Sequence, residues 1–176
     1  MKKSHRLKIN QLNEALEHLL ADLKNYQHQQ LAARPGQGAW SALDVMQHLM
    51  LAEGRSVQYV KKKTSSPATL KKASFAATMR SVLLKLSLLL PVKYKAPAIV
   101  NEDHFREDVK LDELATEWRA IRTELSLVLK NLHPDWYNKE IFRHALAGRM
   151  TMDGMLDFFH DHFARHRKQI DRTLGR

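Results

Sequence analysis

His162 and His166 lie four residues apart in the stretch Phe158-Phe159-His160-Asp161-His162-Phe163-Ala164-Arg165-His166-Arg167-Lys168-Gln169-Ile170. On a helix that spacing is one turn, so both imidazoles project from the same side. Two imidazoles so placed can bring their Nε2 atoms to one divalent cation without bending the helix. The same face counts back to Met155 and Phe159 and forward to Ile170, so the pair is expected to point into a core. A buried pair that merely hydrogen-bonds to neighbouring helices has the same spacing. His160 falls about 200° from His162 at about 100° per residue. It lies beside Asp153, Asp157 and Arg167 and reads as solvated.

A catalytic metal site usually has three protein ligands and an open position, and ten histidines offer several thirds. His5 lies at a frayed end, His18 and His28 on the first helix, His104 in a long loop and His133 before a proline. His144, in a connection before Gly148, is the best of this group. His48 is better placed than any of them, inside an apolar run and one turn after Asp44. Two readings stay open for it: a ligand with Asp44 as a supporting acid, or a core histidine with Asp44 as a helix-end charge. Phe163 occupies the place of the general base in an H-E-x-x-H helix, which excludes that protease chemistry. No G-x-S-x-G serine, phosphate-binding glycine loop or close pair of buried carboxylates is evident. Catalysis here would rest on the metal, through an activated water or thiol or a polarised carbonyl.

Five helical stretches must position these residues. The first covers about Ser4 to Leu31, with Leu12, Leu16, Leu19, Leu20 and Leu23 at helical spacing. Arg34-Pro35-Gly36-Gln37-Gly38 stops it. Ser41 is a candidate N-cap for the second, with Asp44 three residues on as a short capping box. That helix carries Val45, His48, Leu49 and Ala52 and ends near Ser65-Ser66-Pro67. The third fills about Ala68 to Leu90, and Pro91 and Pro97 bracket a loop to about Lys110. The fourth starts near Asp112, with Leu114, Trp118, Ile121, Leu125 and Leu129 as its stripe. Thr151 caps the last, which carries the histidine pair. Without repeats or alternating strand patterns, the fold class is all-α: one domain over 1–176, an antiparallel four-helix bundle with an additional helix and a long connecting loop.

The chain of 176 residues has no cysteine, which excludes disulfides, thiolate metal sites and cysteine nucleophiles. The absence fits a cytoplasmic protein, and the polar start Met1-Lys2-Lys3-Ser4-His5-Arg6 leads into no signal-peptide core. The most apolar run, Ser81 to Pro91, contains Lys85 and falls short of the about 20 residues a membrane span needs. It reads as a buried helix or an oligomer contact. The formal charge of +10 is spread along the chain with no aromatic-interleaved basic stripe. It reads as solvated helix faces, with no specific nucleic-acid partner.

Trp40-Ser41-Ala42-Leu43-Asp44-Val45-Met46-Gln47-His48-Leu49 resembles the W-S-x-x-E-x-x-x-H-L signature of the DinB/YfiT-like superfamily of metal-binding bundles. His162-x-x-x-His166-x-x-Gln169-Ile170 is similar to that family's H-x-x-x-H-x-x-Q-I ending. Tyr94-Lys95-Ala96-Pro97 and Gly148-Arg149-Met150-Thr151 add support in the same order. The resemblance implies that His48, His162 and His166 hold one divalent metal ion, zinc or nickel, with a coordination position open. Asp44 and Gln169 would orient these ligands from behind. It also implies a homodimer and a metal-dependent hydrolase or thiol-dependent S-transferase acting on a small-molecule or thiol substrate. Asp44 stands where glutamate is usual, and the third helix is long and basic, so specificity does not carry over. A different class remains beside this one: a non-enzymatic helical interaction module with structural histidines that binds an acidic partner.

Overall fold

In the computed structural model, which describes residues 1–66, 70–89 and 97–176, helices dominate. Leu12, Leu16, Leu19, Leu20 and Leu23 share one buried face of α1 (Lys3–Leu23). The first stretch does not run on to Leu31. The Asn25 and Tyr26 N–H groups turn back onto the Asp22 and Leu23 carbonyls, and a short α2 (His28–Ala32) follows. α3 (Ala42–Thr64) begins where Ser41 Oγ accepts from the Asp44 N–H and Asp44 Oδ2 accepts from the Ser41 N–H, each at 3.0 Å. That exchange satisfies two donors that a helix start otherwise leaves open. α4 (Phe75–Leu89) is shorter than expected from the sequence; Ala68, Leu90, Pro91 and the quoted Tyr94-Lys95-Ala96 lie outside the described residues. Two 3-10 turns (Ala98–Val100 and Glu102–His104) precede α5 (Leu111–Asn131), and Thr151 caps α6 (Met152–Thr173) by accepting from the Gly154 N–H at 3.1 Å.

Helices α1, α3, α5 and α6 form the bundle, α1 and α3 each packing against both α5 and α6. Lys2 and Lys8 at the start of α1 reach Asp153 at the start of α6, while Arg167 near the end of α6 reaches Asp22 near the end of α1. These two helices are therefore parallel. Glu53 meets Trp118 and Arg122, and Lys61 further along meets Glu124, so α3 and α5 are parallel too. His48 near the start of α3 meets His162 midway along α6, while Tyr59 further along α3 and Phe158 earlier on α6 both meet Phe142, so that pair is antiparallel. Parallel neighbours need a return crossing, which α4 and the long loop supply between α3 and α5. Inside, Glu53 and Arg122 are almost fully buried: Arg122 Nη2 donates to Glu53 Oε1 at 2.7 Å and the Trp118 indole to Glu53 Oε2 at 2.9 Å.

Residues 142–150, a plain connection by their sequence, form a hairpin in which β1 (Phe142–His144) pairs antiparallel with β2 (Gly148–Met150). Gly148 takes a left-handed φ of +80°, which closes the three-residue turn without the strain a side chain would bring. α4 packs on β2 and α6. A Cβ at Gly154 would fall 2.8 Å from Ser81 Oγ, so the helices approach at a residue with no side chain. Leu84 of the apolar run is buried, but Phe75, Met79, Val82, Leu83 and Leu86 are exposed. His5, expected at a frayed end, is instead fully buried, its ring 5.3 Å from Tyr137 and its Nε2 3.3 Å from Asp153. Lys2 and Lys8 close over the same carboxylate and hold the first turn of α1 in place. Among the described residues, no helix is long and apolar enough to cross a membrane.

Candidate metal centre

One potential ligand nitrogen from each of His48, His162 and His166 lies within 4.8 Å of the others, the one such group of three His, Asp or Glu side chains among the described residues. His48 and His162 stand Nε2 to Nε2 at 3.2 Å across the α3–α6 interface. Two imidazole nitrogens bound at about 2.05 Å to one tetrahedral zinc stand about 3.3 Å apart, so the observed spacing suits a shared ion. The rings of His162 and His166 are 4.5 Å apart and nearly perpendicular.

The opposite nitrogens are fixed from behind. His48 Nδ1 lies 2.8 Å from the Val100 carbonyl oxygen, and His166 Nδ1 lies 2.8 Å from Gln169 Oε1. Both oxygens can only accept, so each Nδ1 carries the proton and each Nε2 keeps its lone pair. This is the tautomer that a metal needs, and such outer hydrogen bonds also set ring orientation. Burial lowers the pKa of all three imidazoles: that of His48 falls despite the Val100 hydrogen bond, that of His166 drops to about 3, and that of His162 well below its ordinary value. The three are therefore neutral near pH 7 and free of the mutual repulsion that imidazolium ions would have.

Each of the three imidazoles is positioned by identifiable contacts. The Trp40 ring packs on His48 at 5.0 Å between centroids and donates its indole N–H to Glu102 at 2.9 Å. Phe158, one turn before His162, stacks on it at 5.0 Å and 21°. Met155, Phe159 and Ile170 are buried as expected, yet His162 and His166 are only partly so. They share that side of the helix and face a cavity of about 1230 Å³ between α3, α4, α6 and the hairpin. Asp44 uses its Oδ2 on the Ser41 N–H and on Arg34 Nε at 2.9 Å. Its influence on His48 passes through the first turn of α3, whereas Gln169 touches His166 directly. His160 is solvent-exposed, as expected.

Three contributors are not legible in the sequence as site residues. Val100 offers only a backbone oxygen. Gln47 is buried and clamps the loop that carries Val100, donating to the Arg106 carbonyl at 3.2 Å and accepting from the Arg106 N–H at 2.7 Å. Phe158 looks, by sequence, like one more member of an apolar segment. Gln47 alone leaves a trace, as a polar residue inside the apolar run beside His48.

No curated protein and no solved structure matches the chain. A family model described as the DinB superfamily matches residues 10–170. With that match over nearly all of its length, and with three histidines brought together from the two motifs that resembled the family, the chain belongs to the DinB superfamily.

Proposed function

We propose that the protein binds one divalent metal ion, zinc or nickel, through His48, His162 and His166, and uses it as a metal-dependent hydrolase or thiol-dependent S-transferase. The observation that carries this reading is the pair of outer hydrogen bonds, His48 to the Val100 carbonyl and His166 to Gln169, which leave two Nε2 lone pairs free beside a third imidazole. Without an ion, the 3.2 Å contact requires a proton on His162 Nε2, and a metal replaces that proton. Three neutral protein ligands leave a position open, and the adjoining cavity is large enough for a small-molecule or thiol substrate. When bound, the ion supplies Lewis acidity toward a water, thiol or carbonyl in that position. The chain's own contribution is to hold the imidazoles neutral and oriented, and to wall the site with Trp40 and Phe158.

The proposal extends to a single domain over 1–176 working as a homodimer in the cytoplasm. Support for the dimer comes from the exposed Phe75, Met79, Val82, Leu83 and Leu86 on α4, and support for the compartment from the cysteine-free composition.

Metal analysis of the purified protein tests the centre. Near-stoichiometric zinc or nickel is expected, and His162→Ala should remove it while the helical circular dichroism persists. A folded wild-type protein that takes up neither metal, and gains no thermal stability when either is added, would overturn the proposal.

A further inference from the structure

His144 is the strongest of the histidines that stand outside the three-histidine cluster, and the hairpin gives it a defined state. Its Nδ1 accepts two backbone N–H groups of the turn, from Leu146 at 3.2 Å and Ala147 at 3.0 Å. A nitrogen that accepts carries no proton, so the neutral ring must hold its hydrogen on Nε2. Burial keeps the ring neutral, lowering its pKa to about 4. Nε2 has no hydrogen-bond partner among the described residues and is not sealed off from solvent. His144 lines the same cavity as the three-histidine cluster, with the Phe158 ring that stacks on His162 also 4.5 Å from its own.

The surroundings of that N–H indicate what it meets. Apolar and aromatic side chains stand beside it, with Phe142 bridging between Tyr59 and His144. Cations outnumber acids along the cavity. Arg55, Arg143, Lys168 and Arg172 line it, against Glu102, which is held by the Trp40 indole, and Asp161, which sits beside His160. Fixed positive charge around a low-dielectric cleft favours an anionic occupant.

We propose that His144 donates its Nε2–H to a carboxylate of the substrate, an apolar-bodied acid whose other end reaches the three-histidine centre. This rests on the cavity being the substrate site of that centre, and it names the substrate class. His144 is then a fixed neutral donor that selects for an acceptor oxygen at one end of the cavity. A hydrogen bond to a charged acceptor contributes about 1.5–3 kcal/mol, or roughly tenfold or more in affinity.

Nitrogen-15 NMR of the metal-free wild-type protein is the direct test, because it depends on neither metal nor turnover. His144 should show an unprotonated Nδ1 and a protonated Nε2. Phenylacetate should shift the Nε2 signal to saturation, and the neutral analogue 2-phenylethanol should bind at least tenfold more weakly. His144→Phe, which keeps a ring against Phe158, should lose that preference, with the Phe142 and Met150 amide signals reporting that the hairpin persists. A proton found on Nδ1, an Nε2 signal that phenylacetate leaves in place, or equal binding of the two probes would overturn the proposal. Phenylacetate that binds only to zinc-loaded protein, and equally well to His144→Phe, would place its carboxylate on the ion. The His144 proposal would then fall while the metal reading stood. Protein that takes up neither zinc nor nickel but shows the His144 shift would remove the metal reading and keep the His144 donor.

Discussion

Gln169 and the Val100 carbonyl perform one task on two imidazoles: each accepts a hydrogen bond from the Nδ1–H, which keeps the proton there and leaves the Nε2 lone pair free. They differ in how replaceable they are. Removing the Gln169 amide in Gln169→Ala should weaken zinc binding by about 10–100-fold, the usual range for groups that orient a ligand. Competition against a zinc chelator measures this. Thermal stability of the metal-free protein should change little, because Gln169 is only partly buried. An unchanged zinc affinity would mean that the helix alone orients His166. The histidine pair, His48 and Gln169 are legible in the sequence because ligand-type residues recur at helical spacing within two motifs. Val100 is not, because any residue at that point of the loop offers the same backbone oxygen. Asp44 has two readings by sequence, and the local hydrogen bonds at the start of α3 account for its carboxylate oxygen Oδ2 without reaching His48.

Across α3 and α5, the buried Glu53 carboxylate answers both the Arg122 guanidinium and the Trp118 indole. Taking one partner from such a pair strands a charge that water cannot reach. Glu53→Ala should therefore destabilise the fold by about 3–5 kcal/mol, read as a lower urea midpoint. An effect below about 1 kcal/mol would show that Arg122 finds solvent or another acceptor. The stripe of α5, the start of α3 at Ser41 and the start of α6 at Thr151 are legible because periodicity and capping are local properties. The break after Leu23 is not, since no glycine or proline marks it and the turn is closed by backbone hydrogen bonds. The hairpin's strands have three residues each, too few to show an alternating pattern. The burial of His5 depends on Asp153, far away in sequence, and no local pattern announces it. Helix direction is equally non-local: short breaks suggest antiparallel neighbours, but the crossing through α4 makes α3 and α5 parallel.

Buried neutral histidines make the molecule as a whole sensitive to acid. In the unfolded chain they protonate near their ordinary value of about 6.5, whereas folded His144 does so at about 4 and His166 at about 3. Between those limits the unfolded state binds more protons, so stability falls as pH drops through the window. Asp153, held below the usual carboxylate range by His5 despite its burial, and by Lys2, extends the loss below about pH 3.9. The urea midpoint of metal-free protein should thus be level above about pH 7 and decline steadily from about 6.5 to 4. A flat profile would mean that these rings are protonated in place without penalty. The approach of His48 to His162 has a separate consequence, because it joins positions 114 residues apart. An ion held there would act as a reversible cross-link in a chain that has no cysteine to make a permanent one. Closing so long a segment covalently removes about 4–5 kcal/mol of disorder from an unfolded chain. A coordinated ion would restrain the same segment for as long as it stays bound. Metal supply would then govern how long the folded molecule lasts, in addition to whatever reaction it performs.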